Sequence, residues 1–107
     1  MMLILRDDQV IETFESADNP PSWIEWIDVK NAEYTFSDDR GQMYEGRLDH
    51  AGGLFRGEKW HLVPVGIANP NNAIALIERA VAVDPDYCAS PDLESLRRRL
   101  EMNRRDG

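Results

Sequence analysis

Residues 58–84 read EKWHLVPVGIANPNNAIALIERAVAVD, and this stretch decides the fold. Lys59 to Val65 is rich in β-branched and aromatic residues and reads as a strand. Pro64 lacks an N–H, so that strand ends there or lies at a sheet edge. Gly66 and Asn69-Pro70 break the extended run, with Asn69 placed to cap a helix and Pro70 at the first helical position, where a missing donor is harmless. Ala73, Ile74, Leu76, Ile77, Ala80 and Val81 then recur at helical spacing on one arc, leaving Asn71, Asn72, Glu78 and Arg79 to water. A helix with so broad an apolar arc needs a sheet to cover it.

Working outward, Met2 to Arg6 and Gln9 to Phe14 are apolar-rich and flank Asp7-Asp8, a pair suited to a tight reversal. They form a hairpin whose register the sequence leaves open, because apolar residues do not alternate cleanly on either arm. Pro20-Pro21 excludes regular structure between Ser16 and Pro21. Ser22-Trp23-Ile24-Glu25 matches a capping box, predicting a short helix near residues 22–29, although Trp23, Ile24, Trp26 and Ile27 would also suit a strand. The tryptophans read as core or a half-buried platform.

Glu33 to Ser37 alternates, with Tyr34 and Phe36 on one face, and Asp38-Asp39-Arg40-Gly41 reads as the turn into a return strand over Gln42 to Asp49. His50 to Gly57, with three glycines, is a flexible connection. Ser90-Pro91 opens a last helix carrying Leu93, Leu96 and Leu100 as a narrow stripe. Glu–Arg pairs at i, i+4 support this helix, which is expected to sit peripherally and fray near Met102, leaving residues 103–107 loose. The fold class is thus α+β, with one domain over residues 1–107. It comprises a single antiparallel sheet of about five strands, a buried helix packed on it, a short helix near residues 22–29 and a peripheral C-terminal helix.

Residues 77–87, IERAVAVDPDY, resemble the end of the second helix of a tetratricopeptide repeat and its turn. That fold needs at least three stacked units. The first sixty-odd residues contain no second copy and read as strands, so the likeness is read as shared helix-stop chemistry.

Of the net charge of −8, twelve acidic and four basic side chains fall in residues 1–50, while residues 97–105 hold five arginines against one glutamate. Phosphate repulsion makes nucleic acid a poor partner for the body of the domain, and a basic protein a better one. The single Cys88 excludes an intrachain disulfide and fits a reducing compartment, so a cytoplasmic location is the expectation. The apolar opening stops at Arg6-Asp7-Asp8, too short for a signal-peptide core or a membrane span.

With only His50 and His61, a three-histidine metal site is impossible. No metalloprotease helix motif, phosphate loop, dinucleotide fingerprint or nucleophile elbow occurs. Cys88 follows Tyr87 without a local base to lower its pKa, so it reads as inert. Asp7-Asp8, Asp38-Asp39 and Asp84 with Asp86 are read first as turn formers.

The expected function is therefore a small acidic protein-binding module without metal or cofactor and not an enzyme. Its most concrete form is an inhibitor or immunity-type protein that neutralises a basic partner such as a toxin nuclease. A regulatory or assembly subunit docking through the arginine-rich helix is a second reading, and a small enzyme using His50 with carboxylates a third. The partner-binding residues are placed at the hairpin tip, Asp38, Asp39 and Arg40, with Tyr44 beside them as an amphipathic contact. The competing reading of the tip is an ordinary solvated turn.

Overall fold

The computed structural model describes residues 1–18, 24, 26–30, 33–50 and 59–106, with the backbone alone at 26, 27, 49, 50 and 103–106. The elements in chain order are β1 (Met2–Arg6), β2 (Val10–Phe14), α1 (Trp26–Lys30), β3 (Tyr34–Asp38), β4 (Met43–His50), β5 (Lys59–Val65), α2 (Pro70–Arg79), β6 (Ala82–Val83) and α3 (Leu93–Asp106). The strands make one sheet in the order β5-β4-β3-β1-β2-β6. All pairings are antiparallel except β2 with β6, which is parallel. The fold is α+β as expected, and the sheet is mixed and six-stranded where five antiparallel strands were expected.

The missing alternation in β1 has a physical cause. This strand lies inside the sheet and is covered on both faces, so it needs apolar side chains on both. Leu3 and Leu5 point to one face, where Ile11, four α2 side chains (Ala73, Ile74, Leu76, Ile77) and Leu96 and Leu100 of α3 enclose them. Met2 and Ile4 point to the other, against Ile24, Phe36, Trp60 and Leu62, with Val29 of α1 at the margin. The indole N–H of buried Trp60 donates to the Ile24 carbonyl at 2.8 Å, satisfying the one polar atom that this core aromatic brings with it.

The opening hairpin forms around Asp7-Asp8, with Leu3 opposite Thr13 and Leu5 opposite Ile11. Gln9 takes φ +65° in the turn, and Asp8 Oδ1 accepts from the Val10 N–H at 3.2 Å. The second hairpin also forms where the alternation placed it, with Phe36 opposite Tyr44. β5 is an edge strand, which tolerates Pro64. The α2 cap is as read: Asn69 has extended backbone, its side chain accepts from Asn71 N at 3.0 Å, and Pro70 opens the helix.

Four expectations change. α2 stops at Arg79, so Val81 leaves the apolar arc and is 65% exposed. The chain instead passes into β6, because the outer edge of β2 carries backbone groups that need partners. Val81 N donates to Gln9 O, and Asp84 N to Ile11 O, each at 2.8 Å. The last helix begins at Leu93 rather than after Ser90, with Asp92 Oδ1 accepting from Ser95 N at 2.7 Å as its cap. Nor is it peripheral: Leu96 is 0% and Leu100 2% exposed. Its backbone stays helical through Asp106, past the expected fraying point. The capping residues Ser22 and Glu25, Trp23 and the 51–57 part of the glycine-rich connection lie outside the described residues. The short helix expected near 22–29 is described as α1, from Trp26 to Lys30.

Candidate functional site

The turn from Asp38 to Gly41 does not project into solvent as a free acidic tip. Asp38 Oδ1 accepts from the N–H groups of Arg40 and Gln42, both at 2.9 Å, and Oδ2 accepts from the Tyr44 hydroxyl at 3.4 Å. The carboxylate is holding its own loop, as a turn aspartate does. Burial pushes the Tyr44 phenol above its ordinary range, and the nearby Asp38 charge pushes it the same way. Tyr44 itself is half-buried against the Phe36–Trp60 core. Asp39 N donates to Met1 O at 2.9 Å, and Asp39 Oδ1 lies 3.5 Å from the Met1 amine. Gly41 is buried under the start of α2, where its carbonyl accepts from Asn69 N at 3.3 Å and Asn72 Nδ2 at 3.0 Å. Of this group, Arg40 is the exposed residue.

Charge gathers instead at the opposite end of the sheet, around the β1–β2 turn. Arg6 ends β1 and takes three carboxylates. Its Nε donates to Asp8 Oδ1 at 3.0 Å, with Nη2 on the other Asp8 oxygen, while Nη1 reaches Glu12 at 3.2 Å and Asp84 at 2.8 Å. The bidentate pairing holds Asp8 below the usual carboxylate range and Arg6 above its own. Glu12 is 9% exposed, and burial pushes its carboxyl up although Arg6 pulls it down.

Beside this group, Asp28 of α1 accepts the Glu33 N–H on its backbone carbonyl at 3.1 Å, which brings two acidic side chains together. The Glu33 carboxyl is raised chiefly by its hydrogen-bonding contact with Asp28, with the charges of Asp28 and Asp7 adding. Tyr34 is raised first by burial and then by Asp28, Glu12 and Glu33. Asp7, Asp8, Glu12, Asp28, Glu33 and Asp84 thus form one electrostatically connected end, balanced among these groups by Arg6 alone. Neither Asp28 nor Glu33 forms an ion pair with another described residue.

The Arg6 guanidinium already sits among the Asp8, Glu12 and Asp84 carboxylates. Among the described residues no group of three or more His, Cys, Asp or Glu side chains is arranged to hold a metal ion. Exposed His61 sits on β5, and the His50 side chain lies outside the described residues. No described helix is long and apolar enough to cross a membrane.

Near the far end of β2 a groove of about 590 Å³ opens between Thr13–Glu15, the segment Asp86–Ala89 and α3. Tyr87 and half-buried Cys88 supply apolar wall, while Arg99 and the Met1 amine bring positive charge and Glu15 and Asp86 negative charge. Its frame is fixed by Thr13 N donating to Tyr87 O at 2.8 Å and Ala89 N donating to Thr13 Oγ1 at 2.7 Å. The other α3 arginines with described side chains are engaged locally, Arg97 with Glu78 and Glu101 and Arg98 with Glu94.

Comparison with models of known families, with curated proteins and with solved structures returned no match to this chain. The Arg6 cluster escaped sequence reading because Asp84 is 78 residues away along the chain. One signal was present: Arg6 and Glu12 interrupt two apolar strands, and charges in such positions are ordinarily paired.

Proposed function

We propose that the chain is a small acidic protein-binding module of the inhibitor or immunity type, which engages a basic protein such as a toxin nuclease in the cytoplasm. The reading rests on the end of the sheet where Asp7, Asp28 and Glu33 stand beside the Arg6 cluster. Asp28 beside Glu33 makes the Glu33 carboxyl harder to ionise, and an incoming lysine or arginine offsets that repulsion while the wider acidic field speeds encounter. The partner surface therefore moves from the Asp38–Tyr44 hairpin, whose carboxylates hold their own turn, to the Asp7–Asp28–Glu33 end. Tyr34 and the β1–β2 turn frame the proposed contact.

The test begins with affinity capture from native cells and identification of the partner. Stopped-flow association is then measured for the wild type, for Asp7→Asn/Asp28→Asn/Glu33→Gln, and for Asp38→Asn/Asp39→Asn. The expected result is an association rate that falls as salt rises over a Debye length of about 10 Å at 0.1 M, and that falls further in the triple variant. A rate indifferent to salt and to the triple substitution rejects the proposal.

A further inference from the structure

We infer that residues 81–89 form a strap that opens and closes as a unit over the β2 edge, its closure set by how Arg6 divides one guanidinium nitrogen between Asp84 on the strap and Glu12 on β2. The device joins the charged end of the sheet to the groove at the other end, and it operates whatever partner the chain binds.

The strap is held differently from the helices on either side of it. α2 is fixed by Ile77 and its buried neighbours, and α3 by Leu96 and Leu100, all packed in one apolar core. Between them Val81, Ala82, Pro85, Asp86, Tyr87 and Ala89 are exposed. Of the strap's apolar side chains, Val83 and Cys88 reach the core, and only at its margin. Hydrogen bonds hold the rest. Val81 N and Asp84 N donate to Gln9 O and Ile11 O, and Thr13 N to Tyr87 O, each at 2.8 Å, while Ala89 N donates to Thr13 Oγ1 at 2.7 Å. A segment with little apolar burial and many edge hydrogen bonds is the kind that opens locally while the core stays closed. Ala80, extended after α2, and buried Ser90 mark its two ends.

One ion pair ties the strap to β1. Arg6 Nη1 donates to Asp84 Oδ2 at 2.8 Å and also to Glu12 Oε1 at 3.2 Å, while Asp8 occupies Nε and Nη2. Glu12 and Asp84 draw that nitrogen toward β2 and toward the strap respectively, and their like charges oppose one another. The Glu12 charge therefore loosens the hold on Asp84 that Arg6 supplies. Asp84 in turn organises the strap beyond it: its Oδ1 accepts from Asp86 N at 2.9 Å and its carbonyl from Tyr87 N at 3.3 Å. A shift at Asp84 is thus passed along to Tyr87 and Cys88, which wall the groove. Charge at the Arg6 cluster governs how far the β2 edge and the Cys88 thiol are uncovered.

The test is native-state hydrogen exchange on the ¹⁵N-labelled full chain at pH 7, with the Cys88 thiol titrated in parallel by an aromatic disulfide reagent. In the unaltered chain the amides of Val81, Asp84, Ala89 and Thr13 should share one level of protection, below that of the β1 amides. Asp84→Asn keeps an acceptor for Asp86 N but removes the charge. It should speed exchange at these amides, and the Cys88 reaction, about threefold, the size of effect a partly exposed ion pair gives. Glu12→Gln should slow both. Opposite effects from two carboxylates on one arginine separate the division of Arg6 from a general relief of like charge, which moves both variants the same way. The inference is overturned by effects of the same sign in the two variants, by no effect in either, or by changes equal to those throughout β1 and α2. Amides of the strap that in the unaltered chain exchange only with the whole fold would also overturn it.

Discussion

Gly41 and Gly66 offer a controlled comparison, because both have positive φ, at +83° and +71°, but only one is crowded. A Cβ on Gly66 meets nothing within 4 Å, so Gly66→Ala bears the left-handed backbone penalty alone, about 1–2 kcal/mol. A Cβ on Gly41 would lie 1.7 Å from Asn69 O and 2.4 Å from Asn69 C, which is backbone and cannot turn aside. To relieve the overlap the start of α2 must retreat, breaking the bonds from Asn69 N and Asn72 Nδ2 to the Gly41 carbonyl and disturbing the Asn69 cap. Each hydrogen bond and the cap are worth about 1 kcal/mol, so Gly41→Ala should lose roughly 4–5 kcal/mol in all. Urea titration followed by tryptophan fluorescence should show the difference, and thermal melts should fall by roughly 5–10 °C for Gly66→Ala and more than twice that for Gly41→Ala. Equal losses at the two positions would refute the reasoning, since they would mean that the β3–β4 turn is not wedged against the helix start.

Ile77→Ala should cost about 2–5 kcal/mol against less than about 0.5 for Glu78→Ala, because Ile77 is buried and the Glu78–Arg97 pair is solvent-exposed. Similar midpoints for the two variants in a denaturant series would contradict the helical phase. Leu96→Ala should cost about 2–5 kcal/mol if α3 is part of the core, and a surface-like loss under about 0.5 kcal/mol would return that helix to the periphery. For Glu12 the folded carboxyl is raised, so the native state holds its proton more tightly than the unfolded chain. The favourable contribution is present at low pH and is lost as pH rises through the folded value. Glu12→Gln should therefore gain stability relative to the wild type on going from pH 4 to pH 7, as read from urea midpoints. A relative loss over that interval would show that the Arg6 contact outweighs burial.

The acidic composition leads to the proposal of a basic partner, and the hairpin first considered for it shows where local reading stops. Asp38-Asp39-Arg40-Gly41 was correctly read as a turn, because aspartate and glycine satisfy turn geometry through their own bonds. Whether that turn stood free depended on Asn69 and Asn72, about thirty residues away, and they close over Gly41. Conversely, Asp28 and Glu33 carried no motif. Their proximity follows from the Glu33 N–H bonding back to the Asp28 carbonyl, and the company of Asp7 follows from the pairing of Arg6 with Tyr34.

The sequence by itself determined those features whose causes lie within a few residues: both hairpins, the Asn69-Pro70 helix start and the buried arc from Ala73 to Ile77, while Pro64 limited its strand to ending there or lying at an edge, and the edge is what the sheet shows. Caps, turn residues and side-chain period act locally, so they are legible locally. Tertiary structure alone decided the rest. It buried both faces of β1, ended α2 before Val81 so that Ala82-Val83 could pair in parallel with β2, and drew Leu96 and Leu100 into the core. It also set Arg6 among Asp8, Glu12 and Asp84. Each of these depends on backbone groups or charges that must find partners across long chain separations, and residue spacing carries no record of which distant partner satisfies them.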